Sequence, residues 1–120
     1  MKIFDAVVNN QALRITPHGV LIAPTRKFYE IDFTFCHVWD DYEKKTVAFI
    51  NQETEEKYLV ELTNNKILPD AFPLMVSWYG GNYTMDVWGE NFDSNGNVTD
   101  RITTNAVAIR ITKNNRIELE

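Results

Sequence analysis

Residues 29–37 alternate without a break. Tyr29, Ile31, Phe33, Phe35 and His37 fall on one side of an extended chain, and Glu30, Asp32, Thr34 and Cys36 fall on the other. Successive strand side chains point to opposite faces, so this pattern makes a strand with one face on a core and one towards water. The same period returns more briefly at Val47 and Phe49, at Tyr58, Val60 and Leu62, and at Val107, Ile109 and Ile111. The best helical candidate, residues 51–57, is polar all round and offers no stripe to bury.

Turn residues divide the rest. With Gly80-Gly81 as a two-residue hairpin loop, Trp78 faces Tyr83, Val76 faces Met85 and Leu74 faces Val87, all on one face. The other face then receives Ser77, Thr84, Met75, Asp86, Tyr79 and Trp88. Asn95-Gly96 reads as a type I′ turn inside the polar stretch from Asn91 to Arg101, and Thr16-Pro17-His18-Gly19 as another turn. Asn64-Asn65-Lys66, Pro69 and Pro73 punctuate a connection. These features predict an all-β fold: a single antiparallel β-sandwich, immunoglobulin-like, with about seven to nine strands. Residues 1–24, whose apolar runs are less regular, are either N-terminal strands or an assembly arm; residues 25–120 form the sandwich, one domain overall. A chain of 120 residues has room for one such core and not two.

The formal charge is −5, from 17 acidic and 12 basic residues. The basic residues are scattered, and a nucleic-acid binder needs a basic stripe to release counterions, so no nucleic-acid partner is expected. Cys36 is the only cysteine, which rules out an internal disulfide and fits a reducing compartment. Asp5 and the Asn9-Asn10 pair interrupt any apolar leader, so we expect no signal peptide. No run approaches the roughly 18 apolar residues of a membrane-spanning segment, and no membrane partner is expected.

Few constellations carry chemistry. Cys36-His37 places a thiol beside an imidazole, but neighbours on a strand point apart and cannot share the contact an activated nucleophile requires. Asp93-Ser94-Asn95-Gly96-Asn97 has calcium-loop residue types, yet Val98 stands where an EF-hand needs glycine and Thr104 where it needs glutamate; a hairpin tip is the plainer reading of Asp93–Asp100, with weak calcium binding left open. Asp40-Asp41-Tyr42-Glu43 reads as a solvated loop rather than a catalytic carboxylate pair. The sequons Asn82-Tyr83-Thr84 and Asn97-Val98-Thr99 read as coincidental in an Asn-rich chain. No catalytic, cofactor-binding or metal-binding residues are expected. Trp88 is placed by the hairpin pattern on the face that meets water, where an aromatic either stacks on a ligand, anchors an interface, or is covered by another segment.

The segment from Tyr83 to Ile111 resembles the immunoglobulin-like modules of phage tail and baseplate proteins from Gram-positive hosts, of which the baseplate upper protein family is the nearest. The carrying residues are Met85-Asp86-Val87-Trp88-Gly89-Glu90-Asn91 and Ile102-Thr103-Thr104-Asn105-Ala106-Val107-Ala108-Ile109. The resemblance implies a non-enzymatic virion component, made in the bacterial host cytoplasm, that docks on other virion structural proteins in symmetric copies. Such modules usually begin longer proteins, so a lone module fits an adaptor, collar or decoration role better than a scaffold. Tyr79, Trp88, Trp39, Ile3, Phe4 and Val7 are the interface or ligand candidates. The alternative is a carbohydrate-binding sandwich that takes a cell-surface glycan on Trp88, Tyr79 and Trp39.

Overall fold

The computed structural model describes residues 1–73 and 80–114. Its strands in chain order are β1 (Lys2–Asn9), β2 (Ala12–Pro17), β3 (Leu21–Ala23), β4 (Glu30–Phe35), β5 (Lys44–Asn51), β6 (Lys57–Glu61), β7 (Lys66–Ile67), β8 (Gly81–Phe92), β9 (Val98–Thr103) and β10 (Val107–Lys113). Two short 3₁₀ turns, His37–Asp41 and Pro69–Ala71, lie between them.

The strands form a four-stranded sheet, β2-β1-β4-β7, and a six-stranded sheet, β3-β10-β8-β5-β6, in which β9 also pairs with β8. Their inner faces enclose one core of Ile3, Val8, Leu21, Ile31, Trp39, Val47, Phe49, Tyr83, Met85, Val87 and Ile111, among others.

An all-β sandwich is therefore what the alternation builds, with two corrections. There are ten strands among the described residues rather than seven to nine, because β3 and β7 are too short to leave a periodic trace. The sheets are mixed rather than purely antiparallel: β1 pairs with β4, and β3 with β10, in parallel. After the β1–β2 hairpin the chain crosses to the other sheet for β3 and returns for β4, which sets β4 beside β1 in the same direction.

The alternation at residues 29–37 holds to Phe35, with Ile31 and Phe33 buried. His37 does not continue the strand; it opens the 3₁₀ turn and is exposed. The hairpin expected across Gly80-Gly81 is not how β8 pairs. Leu74, Val76 and Trp78 lie outside the described residues, and both ladder edges of Met85 are held by others, Phe49 on β5 and Val107 on β10. The hairpin at Asn95-Gly96 does form, between β8 and β9, but with Asp93–Asn97 as its loop. Asp93 N–H donates to the Asn97 carbonyl and only Gly96 in that loop takes positive φ, at 81°.

Residues 1–24 supply three strands to both sheets. β1 lies between β2 and β4, and Ile3, Phe4, Ala6, Val8, Leu13, Leu21 and Ala23 are buried. Ile3 and Phe4 are adjacent yet both buried because the β1–β4 register shifts between Lys2 and Phe4. A bulge of this kind erases period two from the sequence.

Candidate interaction surface

The structure separates the predicted site residues. Trp39 is fully buried, its indole N–H donating to the Asn10 carbonyl at 2.7 Å, so it offers no stacking face. Ile3 and Phe4 are core residues, whereas Val7 is 47% exposed on the outer face of the four-stranded sheet. Tyr79 lies outside the described residues. Trp88 is half-buried on the outer face of the six-stranded sheet, opposite Thr46 on β5 and Thr103 on β9.

The Trp88 ring is pinned rather than free. Its indole N–H donates to Glu90 Oε1 at 2.9 Å, and Arg101 donates to Glu90 Oε2 through Nε at 3.1 Å and through Nη2. The guanidinium holds the Glu90 carboxyl below the usual carboxylate range, with the indole helping. Two residues along the same face, Asp86 has no such support: its Oδ1 is buried without a hydrogen-bond partner among the described residues. Burial pushes its carboxyl upward, and the Lys57 charge opposes that by a smaller amount.

The quoted motifs fasten the fold. At Gly89 an added Cβ would stand 3.0 Å from Tyr42 Cβ and 3.2 Å from Trp39 Cε3, so a side chain there would push on the 3₁₀ turn that packs against β8. Asn91 Oδ1 accepts the Glu43 N–H at 3.0 Å. Thr104 exchanges bonds with Val87, donating its N–H to the Val87 carbonyl and accepting the Val87 N–H on Oγ1. Asn105 reaches the other sheet: its N–H donates to the Gln11 carbonyl, its Oδ1 accepts the Leu13 N–H at 2.8 Å, and its Nδ2 donates to the Leu13 carbonyl. Sequence reasoning singled these residues out and missed this role.

Side chains occupy part of two sheet edges. Asn105 occupies the edge of β2 at Leu13. On β3, Tyr29 Oη donates nothing to Ile22 but accepts its N–H at 3.0 Å, while Thr25 Oγ1 donates to the Ile22 carbonyl. β7 is two residues long. β6 differs. Asn51 N–H donates to the Glu56 carbonyl and Leu62 N–H to the Lys45 carbonyl. With Val47 opposite Val60 and Phe49 opposite Tyr58, the alternation of an antiparallel ladder turns the N–H and C=O of Lys57, Leu59 and Glu61 outward. Their side chains are exposed, Leu59 by 57%.

Apolar side chains also gather at one end of the molecule, around Tyr29. Its hydroxyl bridges Val20 and Ile22, Phe28 meets its ring edge at 5.2 Å, and the Met1 ammonium donates to the Phe28 carbonyl. Met1, Val20, Ile22 and Phe28 are 51%, 66%, 38% and 48% exposed.

Other candidates serve locally. Cys36 Sγ accepts the Asn10 N–H at 3.2 Å. Asp93 Oδ1 accepts the N–H groups of Asn95 and Asn97, both at 2.9 Å, and these backbone bonds, that of Asn97 foremost, hold its carboxyl below the usual range. The Asp40-Asp41 pair lies in the 3₁₀ turn and is exposed. Comparison with known proteins finds no family, no curated sequence and no solved structure that matches this chain.

Proposed function

We propose that this chain is a non-enzymatic structural component of a phage particle, a tail, baseplate, collar or capsid-decoration module that works through protein–protein contacts. The observation that carries the reading is the apolar group at one end: Met1, Val20, Ile22 and Phe28 expose large side chains around one buried tyrosine. A contiguous exposed apolar patch on a small domain marks a contact surface. Because side chains close the neighbouring β3 edge, this end suits docking by side chains onto another virion protein rather than strand addition.

One observation favours a second reading, a glycan-binding sandwich: Trp88 is half-buried on the outer face of the six-stranded sheet, where part of an aromatic ring can meet a sugar. With Trp39 buried, that reading has lost one of its expected stacking residues.

The test is where the protein resides and what it holds. Mass spectrometry of purified particles from the host should find the chain in stoichiometric amounts, and Phe28→Ser should deplete it from them. A chain missing from particles that binds a glycan array through Trp88 overturns the first reading in favour of the second.

A further inference from the structure

We propose that β6 is a self-pairing edge, through which two copies of this chain join β6 to β6 antiparallel about a two-fold axis at Leu59, making one continuous sheet from two. The inference deepens the assembly reading and rests on it for its biological use.

The sequence of the edge names the partner. An antiparallel edge pair matches outward-bonding residues with outward-bonding residues. On β6 these are Lys57, Leu59 and Glu61. A two-fold axis at Leu59 sets Leu59 against the partner's Leu59 and Lys57 against the partner's Glu61, and by symmetry Glu61 against the partner's Lys57. Tyr58 then lies opposite the partner's Val60. Every cross-strand pair is apolar with apolar or cation with anion, the combinations that stabilise a sheet. Moving the axis to Tyr58 or Val60 sets Leu59 against a charge, so the register is specified as well as the partner.

Lysine on an exposed edge ordinarily guards against such pairing. Here the lysine and the glutamate stand symmetrically about a leucine, which turns the guard into a match for one partner alone. The β9 edge shows the contrast. A two-fold axis at Asp100 or Arg101, the middle of β9, would oppose like charges. The two-fold arrangement is isologous and closed, so it ends at a dimer rather than a fibre.

Sedimentation velocity of the full chain at rising concentration should show the 14.0 kDa monomer giving way to twice that mass. Lys57→Glu should weaken the dimer about tenfold, the equivalent of roughly 1.4 kcal/mol, by opposing two glutamates at each end of the pair. Adding Glu61→Lys to Lys57→Glu should restore it. All three side chains are exposed, and cooperative melting transitions will show that the variants fold. In a Cys36→Ser background, Leu59→Cys should oxidise to a covalent dimer, since opposed hydrogen-bonded residues stand about 5.5 Å apart, within disulfide reach. A chain that stays monomeric to about millimolar concentration, a weak association below the usual range of specific contacts, overturns the proposal, as does a dimer indifferent to both charge variants. If the dimer is absent while the chain is a stoichiometric part of particles, the edge proposal falls and the assembly reading stands; if the dimer forms and particles lack the chain, the reverse holds.

Discussion

Asn105 is exposed and uncharged, yet its side chain bonds to both the N–H and the carbonyl of Leu13 on the other sheet, while the adjacent Thr104 holds Val87. Removing the amide leaves the Leu13 N–H, part-buried at the edge of β2, without its acceptor. We expect Asn105→Ala to cost about 1–3 kcal/mol in urea denaturation, the penalty of an unmet buried donor. A loss below about 0.3 kcal/mol would mean that water replaces the amide without penalty. That a surface asparagine matters this much could not be read locally, because its partner is 92 positions away. Trp39 misleads for the same reason. Its neighbours Asp40 and Asp41 suggest an exposed loop, and only the arrival of Asn10 and Gly89 buries the indole.

At the scale of the strand, β8 carries two carboxylates of opposite effect on one face. Glu90 is held below its ordinary value by Arg101, so its contribution to stability is present above the ordinary carboxylate range and is lost as pH falls through the lowered value. Asp86 is raised by burial, so stability declines as pH climbs from the ordinary value through the raised one, and the penalty persists above it. Urea denaturation at pH 7 should therefore show Glu90→Gln less stable than the parent and Asp86→Asn more stable; the same sign for both would refute the assignment. The alternation that predicted β4, β5 and β10 was legible because one face of each meets the core continuously. The pairing of β8 was not, since Gly80-Gly81 resembles a hairpin whatever neighbours the strand acquires. Long-range competition for the two edges of Met85 decided it, with Phe49 and Val107 taking both.

Across the whole molecule, residues 1–24, which the sequence leaves open as N-terminal strands or an assembly arm, contribute three strands and several buried side chains. Deleting them removes β1, β2 and β3, leaves β4 paired with β7 alone, and takes Ile3, Phe4 and Val8 from the core. The remainder should show no cooperative thermal transition; a truncated chain that melts cooperatively would show that β4 to β10 suffice. The overall class was legible from period two alone, whereas the mixed sheets arise from crossings that leave no local mark. One of these has a temporal consequence. β3 at Leu21–Ala23 pairs with β10 at Ile111–Lys113, so strands near the two ends of the chain are neighbours. During synthesis β1 can pair with β2 and β4 early, whereas β3 must wait, its apolar face uncovered, until β10 has left the ribosome. Closing so long a loop makes folding slow, in the millisecond-to-second range of β-rich domains, and leaves that apolar face open to other chains for the interval.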